Sequence, residues 1–440
     1  MKNLVMGAAT GYDWYALEPF VTSCKKFCPD ADLVLFVDDI SDFTRNKLIR
    51  EGVTLEPVPA EFADILIVNS RFKMYLDFLE THGEDYAQVL ITDTRDVIFQ
   101  SDLFAPFKNY SSWLGYSTEF LTIGEDADCN YIWLLGRFGK AEADKLSDKQ
   151  AICAGTVIGS IDAMKIFCRK MWELILQALK KNYDQAAMNY LVWNNLLPIE
   201  KLIEFDVQSG AIFTNELVID HKMFEDKILR GDGGIPAVVH RYVKYKEQVQ
   251  LVDKVYRDKN FQVDERFTDF HSLIDQINYL FFVARAEEAV QFFTKIFSAR
   301  DISGELAYKL LKFWHSLVLK AKFDSDTKKL ELAIQSFIAT IENPTDEFLG
   351  DMVNVFAVII KNNRPIAPQF KKYFARHLLP IAKRNLDTGN FNACLNCIHF
   401  IEALNVPLDK NFYLFVAKAN RILGRKEQAL AAYKAALELN

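Results

Sequence analysis

Val89-Leu90-Ile91-Thr92-Asp93-Thr94-Arg95-Asp96-Val97-Ile98-Phe99-Gln100 is an apolar run broken by two acids and a base, after which apolar residues resume. A run of that kind predicts a buried strand. Burying an unpaired charge costs several kcal/mol, so acids at such a place are paired, bound to a metal, or set at an open strand end. In open α/β sheets the carboxyl ends of the strands are where ligands bind. The stretch therefore predicts a carboxylate pair that holds a divalent cation against a substrate phosphate. The plainer alternative is a polar loop closed by an Asp–Arg ion pair.

Outward from this stretch the pattern alternates. Residues 4–9, 33–37 and 53–58 read as strands, 33–37 continuously apolar, and residues 15–27, 42–51 and 72–80 as helices between them. Unalternating strands separated by helices imply a mainly parallel sheet covered on both faces. Further on, residues 113–118 and 154–160 read as strands and 163–179 and 185–193 as helices, with Asp184 as the N-cap of the last. Residues 119–150 read as an irregular loop or lid. The sheet is expected to end with Ala237-Val238-Val239-His240.

The chain of 440 residues is too long for one ordinary core. Its 50% apolar and 25% charged residues are those of a soluble globular protein. A net charge of −7 without a basic tract disfavours nonspecific nucleic-acid binding. The aromatic share, 13% with 35 Phe, reads as large core residues. Seven Cys at irregular spacing, Cys24, Cys28, Cys129, Cys153, Cys168, Cys394 and Cys397, read as buried free thiols suited to a reducing cytoplasm. The apolar run after Met1 is too short for a signal peptide, and no stretch has the 18 apolar residues of a membrane span.

From about residue 265 glycine becomes scarce and helical periodicity takes over. Gly424 is followed by Ala429, Tyr433 and Ala436 on one face, with Tyr413, Val416 and Ala417 upstream. Thirty-five residues earlier, Gly389 is followed by Cys394, Leu395, Ile398 and Ile401. Similar phases recur at Ala289, Phe293 and Ile296, and at Ala333, Phe337 and Thr340. This resembles tetratricopeptide (TPR) repeats, whose period is about 34 residues; an ordinary helical bundle is the alternative. No capping helix follows the last repeat helix, so that end is expected to pack elsewhere or the chain to be truncated.

The first 250 residues or so resemble GT-A-type glycosyltransferases that use nucleotide sugars. The pieces fall in order. Val5-Met6-Gly7-Ala8-Ala9-Thr10 is similar to the opening strand and nucleotide loop, and Leu35-Phe36-Val37-Asp38-Asp39 to the second strand. Arg71-Phe72-Lys73-Met74-Tyr75 resembles the Arg-bearing helix. Asp93-Thr94-Arg95-Asp96 resembles the metal-binding DxD motif, with Asp102-Leu103-Phe104 after it. Cys153-Ala154-Gly155-Thr156 resembles the small-residue strand under the donor sugar. Asp184-Gln185 with Asn189 resembles the late motif that reaches sugar hydroxyls, and Val239-His240 the terminal metal-ligand histidine.

The resemblance implies an α/β fold: a GT-A (Rossmann-like), mainly parallel sheet domain over residues 1–255, a linker at 256–264 and an all-α TPR-like repeat domain over 265–440. It implies Asp93, Asp96 and His240 as ligands of Mn²⁺ or Mg²⁺, with Asp93 alternatively on the donor. Ala8, Thr10, Asp38, Arg71, Asp93 and Gly155 would bind a nucleoside-diphosphate sugar, a UDP-sugar first, and Asp184, Gln185 and Arg95 would serve the reaction. The acids stand two residues apart rather than one, which leaves open whether Asp93 reaches the metal. The basic residues after His240, Arg241, Lys244 and Lys246, would contact the diphosphate or form a solvated face.

The implied function is transfer of a sugar, with retention of configuration favoured over inversion, to the hydroxyl of a glycan or lipid-linked glycan in surface polysaccharide assembly. It would take place in the cytoplasm or at the inner face of the membrane by peripheral contact, with the repeats open to a protein partner. Two alternatives stand: a sugar nucleotidyltransferase, for which Gly7-Ala8-Ala9-Thr10-Gly11 lacks the basic residue, and a non-catalytic TPR-type scaffold with a degenerate transferase domain.

Overall fold

The computed structural model describes residues 1–439 apart from 178, 180, 216–221, 298–303, 321–324, 342, 343, 345 and 363. The chain divides into two compact units, Met1–Asp275 and Gln276–Asn440. Strands are β1 (Lys2–Thr10), β2 (Ala31–Asp38), β3 (Thr54–Pro57), β4 (Tyr86–Thr92), β5 (Val97–Phe99), β6 (Trp113–Thr122), β7 (Gln150–Ser160), β8 (Lys201–Phe205), β9 (Ile212–Thr214), β10 (Met223–Phe224), β11 (Lys227–Ile228) and β12 (Val238–His240). Helices of the first unit are α1 (Trp14–Phe27), α2 (Asp42–Arg50), α3 (Ile67–His82), α4 (Asn130–Phe138), α5 (Lys140–Lys145), α6 (Ile161–Ile175), α7 (Asp184–Trp193) and α8 (Lys246–Tyr256). The division between units falls inside α9 (Phe270–Phe282).

The main sheet has seven strands in the order β3-β2-β1-β4-β7-β6-β8. Every neighbouring pair is parallel except those of β7, which runs antiparallel to both β4 and β6. The expected α/β architecture with a mainly parallel sheet is therefore present. On one face of the sheet Leu4, Met6, Val89 and Ile91 pack with Phe72, Tyr75 and Leu79 of α3 and with Phe167 and Met171 of α6. The residues between them on the other face, Val5 and Leu90, are fully buried as well, so the central strands are apolar throughout.

Four expectations are corrected. Residues 119–150 are not irregular: β6 continues to Thr122, and α4 and α5 follow, with Leu134, Ala143 and Leu146 in a small core of their own. Asp184 does not cap α7; Tyr183 occupies that position without a side-chain bond, and the Asp184 carboxylate goes elsewhere. Val238–His240 does not edge the main sheet but is the centre of a second one, β5-β12-β9. Six of the cysteines are buried and free as expected, whereas Cys129 is exposed just before α4.

The chain beyond α8 is fastened to α1. Pro19, inside α1, has no N–H to offer the Tyr15 carbonyl one turn earlier. Arg257 Nη1 donates to that carbonyl instead, while Arg257 Nε holds Asp253 Oδ1 at 2.5 Å. Phe261, in the same 256–264 stretch, is fully buried and meets the edge of Phe43 in α2. Further along, Ser41 and Thr44 at the start of α2 donate to the Asp275 carboxylate, and Phe43 N donates to Ser272 Oγ.

The second unit is helical: α10 (Ala286–Phe297), α11 (Gly304–Lys320), α12 (Ser325–Ile338), α13 (Asp346–Lys361), α14 (Pro368–Asp387), α15 (Phe391–Ala403), α16 (Lys410–Ile422) and α17 (Lys426–Glu438). α14 packs on α15 and α16 on α17, and α10 meets α12 as α11 meets α13. Gly389 and Gly424 take φ +76° and +72° in the turns before α15 and α17, a conformation natural to glycine. Both turns close alike, with Asn390 N donating to Asn385 O at 2.8 Å and Arg425 N to Asn420 O at 2.9 Å.

Candidate metal and donor site

The turn Asp93-Thr94-Arg95-Asp96 carries the chain from β4 in the large sheet to β5 in the small one. Asp93 N donates to Gly155 O of β7 at 2.7 Å, and Thr94 Oγ1 to Ala8 O of β1 at 3.0 Å. A Cβ on Gly7 would strike the Thr94 methyl, so a residue without a side chain lets the turn fold back over β1. At the other end Arg241 N donates to Asp96 O at 2.7 Å, and His240 stands opposite Val97 across the β12–β5 ladder. Arg241 is left-handed at φ +67°, a conformation that costs a non-glycine residue about 1–2 kcal/mol.

These constraints bring Asp93, Asp96 and His240 together. One ligand-type atom from each lies within 4.8 Å of the others. His240 Nε2 is 3.2 Å from Asp93 Oδ2 and 3.7 Å from Asp96 Oδ1. The imidazole is only 4% exposed, whereas the Asp93 side chain is 38% exposed. Two carboxylates and one imidazole suit Mn²⁺ and, less closely, Mg²⁺, which prefers oxygen alone. Gly155 leaves room for the cluster, since a Cβ there would collide with the His240 ring and come within 2.7 Å of Asp93 Oδ2.

Behind the cluster lies a buried guanidinium. Arg71 Nη1 meets Asp93 Oδ1 at 2.5 Å, and Arg71 Nη2 meets Asp184 Oδ2 at 2.8 Å and Ala154 O at 3.2 Å. Burial acts to raise the Asp93 carboxyl, but Arg71 and the His240 bond outweigh it and hold it well below the usual carboxylate range. At Asp184 burial wins over the same guanidinium and the carboxyl is pushed up. For His240, burial favours the neutral ring, yet the Cys153 sulfur with Asp93 and Asp96 raises it well above 6.5. Arg71 thus faces two carboxylates, Asp93 and Asp184, while Asp96 adds a further acid beside His240, a donor set that a divalent cation can use once the imidazole is neutral.

A cavity of about 140 Å³ opens in front, lined by Ala8, Tyr12, Ile67, Val68, Arg71, Asp93, Thr94, Arg95 and Asp96. Arg95 is exposed and lies 5.7 Å from the centre of the Tyr12 ring. The lining thus combines aromatic and aliphatic residues (Tyr12, Ala8, Ile67 and Val68) with charged ones. Of the expected donor-binding residues, Ala8, Arg71 and Asp93 line the cavity, and Gly155 lies under the cluster. Thr10 and Asp38 are register partners at the ends of β1 and β2, outside the lining. Of the expected catalytic residues, Arg95 lines it, and Asp184 is buried against Arg71. Gln185 is half-buried and donates to Asn130 Oδ1 at 2.9 Å, and Asn130 in turn donates to Glu119 and Asp126. Asn189 bonds both backbone groups of Ile152 and so fixes α7 to β7. Sequence reasoning passed over Tyr12, Ile67, Val68 and Asn130. Only Tyr12, next to the quoted β1 loop, carried a signal that would have found it.

No protein-family model matches the chain, and no curated protein matches it. Among solved structures, the chain is similar to the galactosyltransferase LgtC in complex with donor and acceptor sugar analogues: 17% identity, 58% of this chain and 98% of that one covered, TM-score 0.35. It is also similar to glucosyl-3-phosphoglycerate synthase from Mycobacterium tuberculosis in complex with Mn²⁺, UDP and glucosyl-3-phosphoglycerate (14%, 47% and 69% covered, TM-score 0.30). A third is the apo-form glycosyltransferase GlyE from Streptococcus pneumoniae TIGR4 (12%, 83% and 90% covered, TM-score 0.32).

Proposed function

We propose that the protein is a divalent-metal-dependent glycosyltransferase that takes a sugar from a nucleoside diphosphate, UDP first, and places it on a hydroxyl of a glycan or lipid-linked glycan. The observation that carries this reading is the Asp93–Asp96–His240 cluster, whose two acids line a cavity that also holds apolar and basic residues. Asp93, Asp96 and His240 would hold Mn²⁺ or Mg²⁺, which when bound supplies the positive charge against which a diphosphate departs. Tyr12, Ile67 and Val68 offer a surface for a flat base. Arg95 offers an exposed positive charge to the diphosphate. Arg71 holds Asp93 and Asp184 in place, and Gln185 with Asn130 forms a polar run toward sugar hydroxyls.

The carboxylates that line the cavity are the two of the metal cluster. An inverting transferase wants a separate base at the acceptor hydroxyl and a retaining one does not; we read the transfer as retaining because the paired acids and late histidine resemble those of retaining members. We assign catalysis to the α/β part, expected over residues 1–255. The helical part, expected over 265–440 as a TPR-like array, is assigned to acceptor presentation or partner docking; the matched turns at Gly389 and Gly424 support that reading. Among the described residues no helix is long and apolar enough to cross a membrane.

Calorimetric titration with a panel of nucleotide sugars tests the reading. One donor should bind in the presence of Mn²⁺, lose affinity in chelator, and fail to bind Asp96→Ala. A folded wild-type protein that binds no donor with Mn²⁺ present would overturn it.

A further inference from the structure

His240 has two ring nitrogens, and they face different chemistry. Nε2 points at the two aspartates, whereas Nδ1 lies 3.4 Å from the Cys153 sulfur. An imidazole binds a metal through one nitrogen only while the other carries the proton, and the partner of that proton fixes both the tautomer and the ring orientation. The usual partner is a carboxylate, a backbone carbonyl or water. Here it is a thiol.

The surroundings of that thiol are fixed. Cys153 is 3% exposed, in the middle of β7. Gly155 N also donates to its sulfur, at 3.4 Å. With one N–H already aimed at it, the sulfur is set up to accept. The ring has little other freedom: bare Gly155 lies against Cε1, and the His240 carbonyl accepts from Asn215 N at 3.0 Å. Gly155 therefore supplies three things: space for the ring, a carbonyl for Asp93 N, and an N–H for Cys153.

We propose that Cys153 is a positioning residue of the metal site, its sulfur accepting the Nδ1 proton of His240 so that the Nε2 lone pair faces Asp93 and Asp96. The inference rests on the metal-site reading above. Serine at position 153 keeps a two-electron-pair acceptor at nearly the same place; alanine removes it and leaves the ring free to turn or to adopt the other tautomer. The cost of losing such a partner is about 10–100-fold in metal affinity.

The test is Mn²⁺ titration of the full chain, with free Mn²⁺ read by electron paramagnetic resonance, beside thermal melts without metal. Wild type should bind one Mn²⁺, and Asp96→Ala should not. Cys153→Ala should bind about tenfold or more weakly at an unchanged metal-free melting temperature, and Cys153→Ser should recover most of the affinity. Wild-type affinity in Cys153→Ala, with Asp96→Ala still defective, would overturn the role of Cys153 alone. Serine failing to rescue while alanine binds weakly would point to packing and overturn it as well. Absence of Mn²⁺ binding by wild type would overturn the metal site together with this inference.

Discussion

Each unit buries an arginine against acid, and the two do it differently. In the helical unit Arg364 meets Glu331 of α12 with side-chain exposures of 5% and 0%, and the neighbouring Gln335 accepts from Ala367 N and donates to Pro365 O. That arrangement ties α12 to the segment entering α14. In the α/β unit Arg71 is as deeply buried, but one of its acids, Asp93, is 38% exposed and belongs also to the cluster with Asp96 and His240. A sealed pair positions helices. An open one with carboxylates to spare has charge left for a ligand.

The largest expected effect falls on the open side. Asp96→Ala should lower turnover by about a thousandfold, the several kcal/mol that a metal contributes to a departing diphosphate, with an unchanged far-ultraviolet spectrum. Activity within a few-fold of wild type would break the comparison at its root.

Removing each arginine sharpens it. Arg364→Met should destabilise by about 4 kcal/mol because Glu331, already pushed up by burial, loses its partner. Arg71→Met should cost about 3 kcal/mol, the lower end of that range, since Asp93 is partly open to water. Saturating Mn²⁺ should restore part of the loss only in Arg71→Met, read as a shift in melting temperature. Equal rescue of both variants would mean that the two arginines do not differ in this way.

A third carboxylate, Asp275, tests burial against hydroxyl donors and a distant imidazole in place of a buried arginine. Burial, with Asp13 and Asp269 nearby, pushes it up to about 8, although Ser41 and Thr44 donate to it. Its folded value lies above the unfolded one of 3.8, so its contribution to stability is complete below that pH and is lost as pH rises through about 8. Asp275→Asn should flatten the fall in stability between about pH 4 and 8 in urea melts, and His271, 3.9 Å away, is the neighbour to mutate as a control. A pH profile identical to wild type would sink the assignment.

The smallest effect concerns the repeats. Gly389→Ala and Gly424→Ala should each cost about 1–2 kcal/mol, because alanine pays for the left-handed turn that glycine takes freely. Similar values at the two sites would support equivalent turns, and a loss at one alone would separate them.

Much of the α/β unit was legible because its central strands are continuous apolar runs, which only a doubly covered sheet explains. The start of α3 was not: Ile67-Val68-Asn69-Ser70 lacks the spacing that Phe72 onward displays. α4 is mostly apolar itself but short and flanked by polar residues; it has no side-chain cap at Cys129 and exposes Ile132, so nothing local marked it. Local rules misplaced Asp184, which stands one residue past the cap position, as the first residue of α7, with its carboxylate claimed by an arginine 113 residues away. Three-residue strands do not specify their neighbours, so the second sheet was invisible. His240 was found by its place at a strand end. What it touches on its far side was not, since nothing local ties Cys153 to a histidine 87 residues later.

The turn from Asp93 to Asp96 belongs to two sheets at once. Its first residue is fixed to β7 and its last to the residue after β12. An ion held by Asp93, Asp96 and His240 would therefore act as a rivet through both layers, and any sliding of the small sheet against the large one would pull the ligands apart. Filling the site should then slow amide exchange along β5 and β12, so that grip on the donor and stiffness of the seam become one property.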